Sequence, residues 1–553
     1  MAGAPTWLAG WRPYLLLGAL CLGLYLPGIA AIPVLDRDEA RFAQASRQML
    51  ETGDFLRIRF LDEARNNKPA GIYWLQAAAV GALSTPQSTA IWPYRVPSLI
   101  GASLAVLFTF GFGRALLRGF PDPGDGTRTA LIAAVLLASA LGTVAEAHIA
   151  KTDATLLAAI VAGQGALGLC YVRARGGAEV RPGIAAAFWL AQIAAIFLKG
   201  PVGPALALVT AAILSLADRD ARWLRGLRPV AGLIATALAV APWLYAIEHA
   251  TRGQFLAGSL GRDFLAKLLG AQESHGAPPL YYLALAMLTF WPGSLYLAPA
   301  LLRGWRLYQR PAMRFLVAWI APAWVVLELI PTKLPHYALP LYPALALLAA
   351  GAMVEGATGS RRARLIGIAG GGIWVLVTLA IAAALIALPM RFGDGVRIAG
   401  IAGAGVLIVL MAALLYRRPG PAGAAALLAA MALALIVPAS LVIPGLDRLW
   451  LSRAAAALIA DHQPQGGTAL TVIGYNEPSL AFLLGGRLQT ATTGAAATLN
   501  DGDEALVNER DAPALGQGLA LRGLAAKPLD SVRGTDYSNG QRMALTLYRI
   551  EKN

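Results

Sequence analysis

The sequence predicts a mainly α-helical, polytopic membrane protein that carries a small α/β domain after its last span, and three observations lead there. Hydrophobic residues make up 57% of the chain and charged residues only 14%, with a mean hydropathy of +0.59, the composition of a chain dissolved in lipid. Apolar runs of spanning length recur at about 13–35, 95–117, 128–149, 152–172, 183–199, 200–217, 228–248, 279–302, 313–331, 334–355, 364–389, 396–416 and 421–444, thirteen in all. After Pro444 the apolar density falls, and short β-like runs, Ala469–Tyr475 and Met543–Ile550, alternate with Gly, Asp and Asn turns. Residues 1–444 are therefore expected to form the membrane part and 445–553 a soluble α/β domain.

The first run, Tyr14–Leu35, is long enough to span and leads into a charged loop, so it reads as a retained helix and not a cleaved signal. That loop, Pro33–Trp74, holds seven acidic and seven basic side chains in a chain that is otherwise bilayer-like. Within it, Asp38–Glu51 is expected to be helical, placing Asp38, Arg41 and Ala45 along one face. Lys68-Pro69 then introduces the apolar run Ala70–Ser84. At about 1.5 Å per residue this run is too short for a hydrocarbon core of about 30 Å, so it is expected to lie at the interface, its Tyr73 and Trp74 suited to that depth.

Keeping Ala70–Ser84 out of the count fixes the topology of everything that follows. The alternate loops bearing Arg114/Arg118/Arg128, Arg173/Arg175/Arg181, Arg219/Arg222/Arg225/Arg228, Arg303/Arg306/Arg310/Arg314, Arg361/Arg362/Arg364 and Arg417/Arg418 then all fall on the cytoplasmic side, as the positive-inside pattern requires. Loop 36–94, Lys151–Asp153, Lys199, segment 249–278, Lys333–Tyr337 and the C-terminal domain fall on the opposite side. Glu248–Tyr282, with Arg252, Arg262 and Lys267, reads as a second interfacial helix. The external loops are also cationic, and an anionic ligand accounts for that excess.

The formal net charge of +15, from 46 Lys and Arg against 31 Asp and Glu, is explained by membrane-facing loops, so nucleic acid is not an expected partner. Both cysteines, Cys21 and Cys170, lie in apolar runs, which argues against a disulfide framework. Neither a P-loop nor a dinucleotide fingerprint is present, and no Cys or His pair has metal-ligand spacing. The single candidate for a divalent metal is His275 together with a loop carboxylate such as Glu63.

The remaining candidates cluster at the external ends of spans. Asp153 opens a span in AKTDATLLA, with Glu146 and His148 at the end of the preceding one; alone, it would read equally well as a helix cap. Lys333-Leu-Pro-His336-Tyr337 opens another, where Pro340 and Pro343 interrupt the helix that follows. Arg41, Lys68 and Lys333 share one side of the membrane, as recognition of a lipid phosphate requires.

The stretches DRDEARFAQASRQMLETGDF, NNKPAGIYWLQ, KTDATL, FLKGPVGPALAL, HGAPPLYY and TKLPHYALPLYPALALL, in this order, resemble the GT-C glycosyltransferases of the protein O-mannosyltransferase-like class, and within it the bacterial aminoarabinose transferases that modify lipid A. The resemblance covers nearly the whole chain, with one departure: those transferases commonly carry Glu before the Lys-Pro pair, where this chain has Asn67. It implies thirteen spans, interfacial helices after the first and seventh, a periplasmic C-terminal domain and a polyprenyl-phosphate sugar donor. It further implies that Asp38 is the catalytic carboxylate, Asp153 its partner, and Arg41 with Lys68 the clamp on the donor phosphate; Lys333 is added to the phosphate site by its place on the same side. Glu39, Tyr73, His336 and Tyr337 are the expected substrate contacts.

The function expected is an inverting glycosyltransferase of the bacterial inner membrane, moving a hexosyl or pentosyl group to a periplasmic acceptor, either lipid A, another envelope glycolipid or a protein. A flippase of lipid-linked sugar is the alternative from another class. It would favour intramembrane charges along a path and paired repeats, whereas the acids here gather at one outer face.

Overall fold

The structure is a computed structural model describing residues 10–119, 126–259, 261, 278–356, 361–462, 470–491 and 493–552. Among these residues, nine helices are long and apolar enough to cross a membrane. A tenth span is the pair Thr127–Ser139 and Leu141–Ala147, bent by 59°. The other three expected spans are shorter or broken: Arg12–Tyr25, Val202–Asp218, and the pieces Tyr281–Thr289 and Leu297–Arg306. The chain is a multi-span membrane protein with a C-terminal sheet domain.

The departures have local causes. The first helix was expected to reach residue 35 but ends at Tyr25, because Pro27 has no N–H to continue the ladder. The span at 128–149 breaks at Ala140, whose backbone is extended, and the run at 279–302 breaks beyond Thr289. The two breaks meet, Leu141 N donating to Trp291 O at 2.8 Å. The 3-10 turn Pro335–Leu341 precedes the helix Tyr342–Glu355, as its prolines led one to expect.

The arginine-rich ends meet on one face. Asp218 pairs with Arg314 and with Arg175 at 3.5 Å, and Glu355 pairs with Arg306 and with Arg303 at 3.5 Å. Helix Asp153–Arg175 is buried along most of its length, packed against Trp92–Leu116 on one side and Pro182–Lys199 on the other.

On the opposite face, the loop after the first helix forms the helix Asp38–Thr52, the short hairpin β1 (Arg59–Phe60) and β2 (Glu63–Ala64), and the helix Gly71–Leu83. The last helix has 13 residues, about 20 Å at 1.5 Å each, too short to cross. Of the second expected interfacial helix, residues 248–259, 261 and 278–282 are described: Glu248 ends the preceding span Pro229–Ala250, and a helical turn follows at Gln254–Leu256, where Glu248 Oε2 accepts from Leu256 N at 3.1 Å. Arg262, Lys267 and His275 lie outside the described residues.

The C-terminal domain is a five-stranded sheet of β3 (Leu470–Ile473), β4 (Leu488–Ala491), β5 (Glu504–Asn508), β6 (Leu524–Asp536) and β7 (Gln541–Lys552), in the order β4-β3-β5-β7-β6. β3 is parallel to both its neighbours and β7 antiparallel to both of its own. Strand β5 is buried throughout: Leu506 faces a core with the helix Leu451–His462, while Ala505 and Val507 face one with Ala512–Ala520. The β6–β7 turn reaches down to the membrane part, where Tyr537 Oη accepts from Asp36 N at 2.7 Å and Ser538 O accepts from Arg37 Nη2 at 2.6 Å.

Candidate active site

Helix Asp38–Thr52 is held between the two parts of the protein. Towards the membrane, Ser46 Oγ donates to Gln76 Oε1 at 2.7 Å, and the Phe42 and Tyr73 rings lie 5.1 Å apart. Towards the C-terminal domain, Arg47 donates to Phe482 O at 2.6 Å, with its guanidinium 4.3 Å from the Phe482 ring.

The start of the helix is pinned by Glu39, whose carboxylate faces Arg95 at 2.8 Å, both side chains being 0% exposed. The same carboxylate accepts from Leu35 N and Ala150 N, both at 2.8 Å, while Arg95 also donates to Ile29 O, Ile32 O and Pro33 O. Every lone pair of Glu39 is thus engaged inside the fold. That corrects its expected place as a substrate contact: it aligns its exposed neighbour Asp38. Arg41, one turn on, is half-buried. Burial and then the charge of Arg65 hold its guanidinium below the usual arginine range, against the pull of Asp38 and Glu477.

A cavity of about 300 Å³ gathers Lys68, Asp153, Lys199, His336 and Tyr337 from four separate stretches of chain. Its deeper wall is apolar, made by Leu206 and Val209 of Val202–Asp218 and by Ala323, Val326 and Leu327 of Pro311–Leu329. Gly71 brings the loop this close to Lys199: a Cβ there would stand 2.6 Å from the Phe197 carbonyl oxygen, two residues before it.

At the polar end, Asp153 Oδ1 lies 2.6 Å from Lys199 Nζ and 3.9 Å from His336 Nε2, and Asp153 Oδ2 lies 3.6 Å from Lys151 Nζ. Lys151 also meets Glu146 at 2.9 Å and His336 Nδ1 at 3.4 Å. An ammonium only donates, so this contact makes Nδ1 the acceptor and leaves the ring proton on Nε2, facing Asp153. Burial opposes the charge on Lys151, but Glu146, Asp153 and, at longer range, Asp38 hold it above the ordinary lysine range. Tyr337 sits beneath Lys199, 5.7 Å from Nζ to the ring centroid.

Of the residues singled out in the sequence, the structure brings Lys68, Asp153, His336 and Tyr337 to this cavity. Asp38 is exposed at the helix start, close enough for its charge to act on Lys151. Three others lie away from it, two of them engaged elsewhere. Lys333 pairs with Glu328 at 3.2 Å, Tyr73 is fully buried and accepts from Arg65 Nε at 3.0 Å, and Glu63 is exposed on β2. His148 bridges Val144 O and Pro27 O, both at 2.8 Å, which closes off the end of the first helix. Among the described residues no cluster of three His, Cys, Asp or Glu side chains forms a metal site, and His275 lies outside them.

Sequence reasoning assigned no role to Lys151 or Lys199. The signal for Lys199 was its place in FLKGPVGPALAL, a lysine at an external span end followed by Gly-Pro; Lys151 stands two residues before Asp153. Asn67 lines the cavity beside Lys68, and its Oδ1 is buried with no hydrogen-bond partner among the described residues.

No protein-family model matches the chain. Over 319 residues it is 28% identical to the undecaprenyl phosphate-alpha-4-amino-4-deoxy-L-arabinose arabinosyl transferase of Pseudomonas paraeruginosa, a match covering 58% of this chain and 55% of that one. The protein of the same name from Serratia proteamaculans is 25% identical over 338 residues, covering 60% and 58%. The matched part therefore spans little more than half the length of these relatives. Among solved structures, ArnT from Cupriavidus metallidurans bound to undecaprenyl phosphate superposes with a TM-score of 0.72 at 18% identity, covering 98% of both chains. The archaeal oligosaccharyltransferase AglB from Archaeoglobus fulgidus gives 0.53 at 13% identity, covering 97% of this chain and 74% of that one. The chain shares the fold of these proteins over nearly its whole length.

Proposed function

We propose that this protein is an integral-membrane, inverting glycosyltransferase that moves one sugar, a pentosyl group by its likeness to the arabinosyl transferases, from undecaprenyl phosphate to lipid A or a related envelope glycolipid. The observation that carries the reading is the cavity where Lys68 and Lys199 stand at the polar end of a wall lined by Leu206, Val209, Val326 and Leu327. A lipid phosphate needs that pairing of cations with an apolar channel at headgroup depth. The names of the matched transferases and the ligand of the Cupriavidus structure support the same donor.

In this reading the acceptor oxygen attacks the anomeric carbon as the bond to the donor phosphate breaks, and the polyprenyl phosphate leaves with its charge increased by the bond electrons. Lys68 and Lys199 stabilise that charge, and the water-poor cavity strengthens the effect. Asp153 holds Lys199, Lys151 and His336 in place around the leaving group. Asp38, exposed and aligned by Glu39, stands where an acceptor approaches from the aqueous side. It takes the proton of an acceptor hydroxyl; where the acceptor is itself a phosphate, it stabilises the positive charge developing on the sugar. The cavity lies on the face opposite the arginine-rich loops, which supports a bacterial inner-membrane enzyme with its site towards the periplasm.

Two measurements test this together: mass spectrometry of envelope glycolipids from cells with and without the protein, and transfer of labelled sugar by purified protein in proteoliposomes. A pentose-sized mass addition on lipid A that depends on the protein is the expected result. An unchanged glycolipid profile, with donor lipid crossing the bilayer but no sugar transferred, would overturn it.

A further inference from the structure

A second cavity, of about 550 Å³, opens between the membrane part and the C-terminal domain and shares no lining residue with the first. The chain after the first helix lines one side of it and the outer end of the span Pro421–Val442 another, with helix Leu451–His462, Ser479 and Tyr537 closing the third. It therefore lies at the depth of lipid headgroups, where both span ends leave the bilayer.

Its charged groups are unusual for a packing gap. The Arg397 guanidinium lies flat over Gly445, where a Cβ would stand 2.2 Å from Nη2; only glycine leaves it that place. Its acidic neighbour, Asp394, is 4.0 Å away with a side chain 83% exposed, so solvent screens that pair and leaves the guanidinium able to bind a better partner. Arg453 Nη1 donates to Pro444 O at 3.1 Å, which fixes a second guanidinium on the same lining. Opposite them, the Asp36 carboxylate accepts from Ser479, whose hydroxyl is 2.6 Å from Ser452 Oγ. Burial pushes the Asp36 carboxyl up to about 7, with Glu477 and Asp536 adding to the rise and Ser479 and Tyr537 opposing it. Near neutrality this acid is often protonated and is a weak opponent of a bound anion. Asp447 is exposed on the lining, and the Trp450 ring packs on Tyr537 at 5.8 Å.

We propose that this cavity is a second lipid site, taking the phosphorylated headgroup of a membrane lipid with its phosphate between Arg397 and Arg453 and its hydroxyl or amino groups on Asp36 and Asp447. Two guanidinium groups suit a phosphate, and the neighbouring acids suit the neutral or cationic groups a headgroup carries beside it. The apolar side chains of Ile32, Val34 and Leu441 lie alongside for the first carbons of the tails. A phospholipid and a phosphorylated glycolipid share this chemistry. The site stands apart from the donor cavity, so it does not depend on the glycosyltransferase reading.

The test uses the full-length protein in detergent micelles, with bound lipid read by native mass spectrometry and titration. The probes are phosphatidylglycerol, phosphatidylethanolamine, an acylated glucosamine disaccharide bisphosphate, inorganic phosphate and undecaprenyl phosphate. The double variant Arg397→Gln/Arg453→Gln is expected to lose at least about tenfold in affinity for one of the first three probes, as removal of charge-assisted hydrogen bonds implies, and to bind undecaprenyl phosphate unchanged. Retained undecaprenyl phosphate binding also shows that the variant is folded. Gly445→Val, which displaces Arg397, is expected to reproduce the loss. Loss confined to the disaccharide probe makes the cavity the acceptor subsite; loss confined to the phospholipids makes it a structural lipid site. Equal binding by wild type and the double variant, or competition by inorganic phosphate at the lipid's own concentration, overturns the proposal. Lys68→Ala, changing only undecaprenyl phosphate binding, separates failure of this site from failure of the donor reading.

Discussion

Lys199 Nζ rests 2.6 Å from Asp153 Oδ1, although the two residues belong to different spans and stand 46 positions apart in the chain. The contact joins the outer end of helix Pro182–Lys199 to the start of helix Asp153–Arg175, and Lys151 and His336 share the same carboxylate. Asp153 thus balances two buried lysines, sharing Lys151 with Glu146. Asp153→Asn keeps the shape and removes that balance, and breaking a buried pair from one side costs about 3–5 kcal/mol. Thermal unfolding of the purified variant should show a clear drop in midpoint, with transfer lowered at least tenfold by about 1.4 kcal/mol or more of lost stabilisation. A variant with wild-type midpoint and rate would show that the cluster is dispensable.

Lys68 lines the cavity from the loop side. Truncating it to alanine removes a hydrogen bond to a charged ligand, worth about 1.5–3 kcal/mol, so affinity for undecaprenyl phosphate should fall tenfold or more while the fold persists. Titration of wild type and Lys68→Ala with the lipid decides it, and unchanged affinity removes Lys68 from the donor site.

Glu39 is a matter of stability. Glu39→Gln leaves Arg95 buried beside a neutral amide and turns one acceptor into a donor facing the Arg95 guanidinium or the Leu35 and Ala150 amides. The expected cost is about 3–5 kcal/mol, read as a lowered unfolding midpoint and as increased proteolysis of the loop after the first helix. A stable variant with intact loop would return Glu39 to the list of substrate contacts.

These three residues also show what a sequence discloses here. The spans were legible because hydrophobic length is a property of consecutive residues. The breaks beside Ala140 and beyond Thr289 were not, because each is satisfied by the other through the Leu141–Trp291 hydrogen bond. Lys68, Asp153, His336 and Tyr337 could be put on one side by counting spans, and the fold brings all four to one cavity. Glu39, Tyr73 and Lys333 looked equally suitable, yet Arg95, Arg65 and Glu328 engage them. For Glu39 the partner is chosen by tertiary packing, 56 positions away, whereas Arg65 and Glu328 stand only eight and five positions from Tyr73 and Lys333.

The junction of the two domains should be sensitive to pH through Asp36. Its carboxyl is raised from 3.8 to about 7 in the folded protein, so between these values the native state holds a proton that the unfolded chain has released. Stability contributed by this group is present below pH 3.8 and is lost as pH rises through about 7, at up to about 1.4 kcal/mol per unit. Denaturant unfolding from pH 5 to 8 should therefore show stability falling with pH more steeply in wild type than in Asp36→Asn, which cannot titrate. Parallel curves would exclude Asp36 as the titrating group.

In the proposed mechanism the chemistry turns on Asp38. It is exposed at the first turn of its helix, its backbone fixed by the buried Glu39 next to it, and its charge reaches Lys151 at the polar end of the cavity. A glycosyltransferase needs a carboxylate there, to take the proton of an acceptor hydroxyl or to stabilise the charge developing on the sugar, whereas a carrier that only moves the lipid has no use for it. Asp38→Asn keeps the size and most of the hydrogen bonding and removes the charge. Transfer should fall by about a hundredfold or more, the usual contribution of a positioned acid or base or of a charge aimed at the transition state. Binding of undecaprenyl phosphate should be nearly unchanged, because the proposed donor site is built on Lys68 and Lys199 and not on Asp38. A hydroxyl acceptor gives up a proton during transfer and a phosphate acceptor does not, so in the first case the loss in Asp38→Asn includes proton transfer and in the second it is electrostatic alone. A single-turnover assay in proteoliposomes with labelled donor measures the loss, and wild-type transfer by Asp38→Asn would move the reacting centre elsewhere in the cavity.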